Sequence, residues 1–93
     1  MSAGAASTQR LDRWIWHARI VRTRTVATNL VSEGYVRVNG ERSETPAHAI
    51  KPGDVLTIAL PARVRILKVT GILPRRADAS AAKHTYESVE AQR

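Results

Sequence analysis

Cysteine is absent from the chain, which removes disulfides, thiolate metal ligands and thiol nucleophiles together. Histidine is scarce, and the residues at 17, 48 and 84 show neither HxH nor HxxxH spacing, so no zinc site is expected. Long apolar runs are missing too. A stretch such as Val55 to Ala62 falls far short of the roughly 20 residues that cross a bilayer. The first nine residues, Met1 to Gln9, hold no basic segment ahead of an apolar one and do not read as a secretory signal. Acidic residues are the remaining deficit: 8 Asp+Glu stand against 15 Lys+Arg.

That deficit leaves a net charge of +7 on 93 residues, and the isoelectric point lies near 11.1. Such an excess is the electrostatic footprint of a polyanion binder. Twelve of the cations are arginine and only Lys51, Lys68 and Lys83 are lysine. Arginine's planar fork suits bidentate phosphate contacts and stacking on bases. Hydrophobic residues make up 43% and charged residues 25%, the balance of an ordinary folded domain, and the length fits one such domain.

Met1 to Thr8 is built from small and polar residues without charge, so residues 1–9 are read as a flexible leader. Leu11, Trp14, Ile15 and Ala18 then recur at helical spacing, with Arg10, Arg13 and His17 on another face. Trp14 is read as core, His17 as structural or solvated, and Trp16 falls off the stripe. A second stripe, Val26, Ala27, Leu30 and Val31, follows a break in which Thr23 is the expected N-cap, and Gly34 stands where a C-terminal glycine is wanted. Beyond Gly34 the period changes to two, with Tyr35 and Arg37 facing one way and Val36 and Val38 the other, before an Asn39-Gly40 hairpin turn. Residues 41–50 predict an irregular return or short edge strand, Lys51-Pro52-Gly53-Asp54 a turn, and Val55 to Leu60 and Val64 to Val69 two strands. Ala79 to Ala91 predicts a terminal helix capped by Asp78, with Ala82, Tyr86 and Val89 as its stripe. The expected architecture is α+β: two N-terminal helices on one face of a small twisted antiparallel sheet, plus a C-terminal helix. The expected organisation is a binding domain over 10–72 and a basic turn and helix over 73–93.

The charge is concentrated. From Arg10 to Arg24 there are five arginines, at 10, 13, 19, 22 and 24, and one acid, Asp12. A core this small cannot hold them, because a buried unpaired charge costs several kcal/mol. They must mostly line a surface, with Asp12 orienting them through salt bridges. A helix N-terminus at Thr23 flanked by Arg22 and Arg24 makes a ready phosphate site. Arg37 beside Tyr35 would extend the surface and add a stacking platform.

Arg10-Leu11-Asp12, Thr23-Arg24 with Ala27 and Leu30, Gly34, Val36, Val38-Asn39-Gly40 and Gly53-Asp54 together resemble the alpha-L RNA-binding motif. This is the domain named after small-subunit ribosomal protein four and shared with pseudouridine synthases and tyrosyl-tRNA synthetases. The resemblance covers about residues 10–60. Arg13-Trp14-Ile15-Trp16 and the tail Arg75-Arg76, Ala79-Ser80 and Tyr86-Glu87 are most similar to the stand-alone bacterial heat-shock protein fifteen group, although Ser88 replaces an expected acid. That likeness implies a cytoplasmic protein binding ribosomal RNA on the large ribosomal subunit, recycling stalled subunits that carry a nascent chain on tRNA. It implies an RNA-facing surface of Arg10, Arg13, Arg19, Thr23, Arg24 and Arg37, with Asn39 and Lys51 at the rim; Arg22 joins it from the charge argument.

Three other classes separate from this one. An enzyme is not expected, since no carboxylate pairs with Asp12 and no nucleophile has a nearby base; an RNA-guiding role within an rRNA-modifying assembly is the form such a reading would take. Membrane adaptation is not expected, because the apolar face of the first helix is needed for the core. Duplex DNA is the nearer rival, as phosphate attraction alone does not tell DNA from RNA. No cofactor and no metal are expected, and the chain is expected to be a monomer.

Overall fold

A computed structural model describes residues 8–73 and 78–89. Most of the expected leader, the Arg75-Arg76 turn and the last residues, 90–93, lie outside the described residues. Strand β1 (Gln9–Arg10) leads directly into helix α1 (Leu11–His17), and helix α2 (Arg24–Ser32) follows. Then come β2 (Val36–Val38), β3 (Glu41–Arg42), β4 (Ala49–Ile50), β5 (Val55–Ala59) and β6 (Val64–Val69). Helix α3 (Ala79–Ala82) runs into a 3-10 turn at Lys83–Thr85 and ends in β7 (Tyr86–Ser88). The strands form an antiparallel sheet in the order β3-β2-β5-β6-β7 and a separate β1-β4 ribbon.

Helix α1 is too short to persist by propensity, so its apolar face must hold it. Leu11, Trp14, Ile15 and Ala18 are all buried. Its first N–H groups are satisfied from outside the helix: Leu11 donates to His48 O at 2.8 Å and Asp12 to Pro46 O at 3.1 Å. The irregular return through 43–48 is therefore the cap of α1, which explains why it is not a longer strand. His17, read as structural or solvated, is structural: it is buried, with its Nδ1 3.0 Å from the Leu73 carbonyl.

Thr23 caps α2 as expected, its Oγ1 accepting from Val26 N–H at 3.1 Å. At the other end Gly34 takes φ +88°, and the N–H groups of Gly34 and Tyr35 bond the carbonyls of Val31 and Leu30. This is a Schellman closure, which requires a left-handed residue at that point. Ala27 and Val31 enter the core, whereas Val26 stays 45% exposed, outside the stripe predicted for it. Strand β2 alternates as expected, Val36 and Val38 inward and Arg37 outward. Asn39 at φ +52° and Gly40 at φ +87° form the two-residue turn that pairs Val38 with Glu41. Leu56, Ile58, Leu67 and Val69 complete the inner face against Trp14, Ile15 and Val31.

The C-terminal segment departs from expectation. The helix ends at Ala82, and Tyr86 is extended at φ −154° and ψ 163°. Asp78 does cap it, accepting from Ala81 N–H at 2.9 Å. Strand β7 then pairs with the free edge of β6, matching Val69 with Tyr86 and Leu67 with Ser88. Edge pairing satisfies a row of β6 backbone groups and lays Tyr86 against Trp14, ring centroids 6.3 Å apart, and those gains override the local helical spacing. The connecting residues are anchored as well: Trp14 Nε1 donates to Gly71 O at 2.9 Å and Gln9 Nε2 to Leu73 O at 2.8 Å.

Trp14→Phe should lower unfolding free energy by about 1–3 kcal/mol, the range for an orphaned buried partner. It should speed amide exchange at Thr70 and Gly71 more than in β2; a uniform acceleration would show that this bond does not anchor the segment.

Candidate nucleic-acid interface

The site begins with a buried acid. Asp12 is 1% exposed, yet it opens α1 among arginines. Arg10 grips it with both arms, Nε to Oδ1 at 3.0 Å and NH2 to Oδ2 at 3.1 Å. Thr28, on α2, donates its hydroxyl to Oδ2 at 2.8 Å. Burial pushes the carboxyl up, but the Arg10 and Thr28 hydrogen bonds, the Arg10 charge and the Arg13 N–H outweigh it and hold Asp12 below the ordinary carboxylate value.

This contact ties the start of α1 to the middle of α2. Arg24 lies one turn before Thr28, on the same side of α2, with its own carbonyl 3.0 Å from the Thr28 hydroxyl. Arg10 and Arg24 thus flank one junction, and Arg13 leaves the chain immediately after Asp12. Arg22 and Thr23 are exposed at the start of α2, and the first turn of that helix holds no acid to neutralise its dipole. Arg10, Arg13, Arg22, Thr23 and Arg24 are therefore gathered around the helix pair.

Arg19 closes α1 in a conformation that L residues avoid. Its φ is +62°, and its N–H bonds Trp16 O at 2.9 Å while Ile20 N–H bonds Ile15 O at 3.1 Å. This is the Schellman arrangement again, with arginine in the place glycine normally takes. The cost is about 1 kcal/mol. A glycine would remove it.

The rim residues are engaged within the fold. Asn39 Nδ2 donates to Asp54 Oδ1 at 3.1 Å and Val55 N–H donates to Asn39 Oδ1 at 2.9 Å. Lys51 Nζ lies 3.3 Å from Asp54 Oδ1, but its side chain remains 65% exposed. Burial pushes Asp54 up, and the Lys51 N–H, the Asn39 amide and the Lys51 ammonium pull it further down, to a net lowered value. Arg37 is exposed on β2 with a 3.3 Å bond to Gly40 O. Thr28, which builds the junction, carries no local signal in the sequence, since its partner is 16 residues away. Among the described residues no group of three His, Cys, Asp or Glu could hold a metal ion, and no helix is long and apolar enough to cross a membrane.

Residues 9–56 match the family model of the S4 domain, which spans both helices, the junction and the hairpin. The chain belongs to the S4 domain family. Its sequence is 34% identical over 82 residues to the heat shock protein 15 homolog of Aeromonas salmonicida, covering 88% of this chain and 61% of that protein. Against heat shock protein 15 of Escherichia coli K12 it is 36% identical over 78 residues, covering 84% and 58%. The chain thus spans about three fifths of the curated relatives it matches. A solved structure of Vibrio cholerae heat shock protein 15 superposes with a TM-score of 0.83 at 30% identity, over 89% of this chain and 83% of that one. That protein is described as trimeric, which runs against the expected monomer.

Both buried acids of this S4 domain have folded values below their unfolded ones, so their stabilisation is complete above about pH 4 to 5 and is lost as pH falls through the lowered values. Asp12→Asn should cost about 1–3 kcal/mol at pH 7, and the cost should shrink as pH falls below the ordinary carboxylate value and through the lowered one. Denaturant titrations at several pH values check this; a constant difference across pH would mean that the charge of Asp12 contributes nothing.

Proposed function

We propose that this S4 domain chain is a non-catalytic RNA-binding protein that docks on structured ribosomal RNA of the large subunit, acting on stalled subunits that carry a nascent chain on tRNA. The observation that carries the reading is the set of arginines on the helix pair, Arg22 and Arg24 at the acid-free start of α2 and Arg10 and Arg13 beside the Asp12 junction, while Asp12 and Asp54 are buried in internal contacts. The likeness to heat shock protein 15 supports the large-subunit role, and with it a cytoplasmic protein is the reading we propose. A-form RNA hides its base edges in a deep groove, so a surface of this kind reads backbone geometry more than sequence.

Sedimentation from a lysate through a sucrose gradient at low magnesium tests the partner. The wild type should travel with free large subunits, and the Arg13→Ala/Arg24→Ala variant should stay at the top. Absence of the wild type from every ribosomal fraction would redirect the reading to small RNAs or duplex DNA. Following the trimeric relative, we expect the free chain to self-associate, which sedimentation velocity reads directly.

Contact with five or six phosphates should give a log-log salt slope on the order of −4 to −5, and Arg13→Ala or Arg24→Ala should each flatten it by about one unit. A slope near zero would remove the phosphate-driven account. Arg19→Gly should stabilise the fold by about 1 kcal/mol while weakening RNA binding, a separation that paired melting and binding curves will show.

A further inference from the structure

The face of the main sheet turned away from the helices carries Arg37, from β2, and Tyr35, the residue before that strand, with Tyr35 51% exposed. Ala59 N–H donates to Tyr35 O at 2.9 Å, so strand pairing continues through Tyr35 and holds it extended. Side chains two residues apart on an extended strand emerge about 6.6 Å from one another. Stacked bases repeat every ~3.4 Å, so this backbone spacing admits one planar base between a phenol ring and a guanidinium once Arg37 leaves the Gly40 carbonyl it bonds at 3.3 Å.

The gap opens onto a cleft. Gly34, Tyr35, Arg37, Thr57, Ala59 and Val64 line a volume of about 250 Å³. Ala59 leaves space, Thr57 supplies a hydroxyl, Val64 adds a 52% exposed apolar edge, and the Arg42–Glu44 pair borders the cleft at Gly34. Arg37 has no carboxylate partner among the described residues, and its register partner across the hairpin is Arg42. Lys68 is exposed on the same face. Positive charge beside an exposed ring favours a polyanion with aromatic groups. On the same face Arg42 pairs with Glu44 at 3.5 Å and Lys68 stands in register with Glu87, whereas no carboxylate is paired with Arg37 among the described residues.

We propose that the Tyr35–Arg37 cleft captures an unpaired RNA nucleotide, its base stacked between the two side chains and its phosphate held by Arg37. The inference rests on the RNA reading above and adds to it a second face, one that selects a bulged or single-stranded nucleotide beside a duplex.

The test uses the full chain and two RNA hairpins, one fully paired and one with a single bulged 2-aminopurine. The bulged hairpin should bind about tenfold tighter, the factor expected from one base stacked on an aromatic ring, with its fluorescence quenched on binding. Tyr35→Ala should abolish the preference and the quenching while leaving the paired hairpin within about twofold of wild type, and Tyr35→Phe should keep both. Equal loss of affinity for the two hairpins in Tyr35→Ala, or no preference in the wild type, overturns the cleft but leaves the arginine surface standing. Failure of both hairpins to bind overturns the RNA reading and the cleft with it. A change of oligomeric mass in Tyr35→Ala without any change in RNA binding overturns the cleft and assigns this face to a second copy.

Discussion

The Asp12 carboxylate is the constraint on which the rest of the surface depends. Removing a charge from water costs several kcal/mol unless its lone pairs are met. Here they are met by the Arg10 fork, the Thr28 hydroxyl and the Arg13 N–H. Because those donors come from both helices, the same bonds that make the burial tolerable also set where α2 lies against α1. The arginines around the junction inherit their placement from an acid whose carboxylate is gripped by the guanidinium of Arg10 and the backbone N–H of Arg13. With Asp54 similarly engaged by Lys51 and Asn39, two of the 8 acids are withdrawn from the surface, and the outward-facing charge is more one-sided than the net +7 conveys.

Local features were legible from residue order alone. The stripe of α1, the Thr23 cap, the Gly34 stop, the outward Arg37 and the Asn39-Gly40 turn each depend on neighbours within a few positions, where period and turn chemistry act. Of the interface, the arginine positions and an orienting role for Asp12 could be read. The Thr28 contact could not, because it joins residues from separate helices, nor could the left-handed backbone at Arg19, which no glycine marks. Burial of His17 against Leu73 and pairing of Gln9 with Ile50 are likewise products of chain segments meeting far apart in sequence.

The terminal strand shows where local preference yields to tertiary demand. Residues 79–82 do form the helix their alanines favour, but Thr85, Tyr86 and Val89 are β-branched or aromatic and sit beside an unpaired edge of β6. Pairing there extends the sheet beyond the matched 9–56 segment and sets Tyr86 on Trp14, with the Arg65 guanidinium 5.6 Å from the Tyr86 ring centroid. The segment that follows the S4 match is thereby fastened to the back of α1, opposite the arginine junction, so its contribution is to stiffen the helix that carries the junction.

Register links the core to the outer face of the sheet. Side chains on a strand alternate, so a slip of one residue in β2 would bury Arg37 and expose Val36 and Val38. Such a slip is opposed at the hairpin itself. Asn39, already in a left-handed turn conformation, bonds Val55 through both its backbone and its side-chain oxygen and reaches Asp54 with its amide. Asp54 in turn accepts from Lys51 N–H, so the Asn39-Gly40 turn and the Lys51–Asp54 turn are locked to each other at one end of β2 and β5. An asparagine that reads as a turn former therefore has a second effect at a distance: by fixing which residue pairs with which, it determines that a ring and a guanidinium, rather than two valines, face the solvent two residues apart.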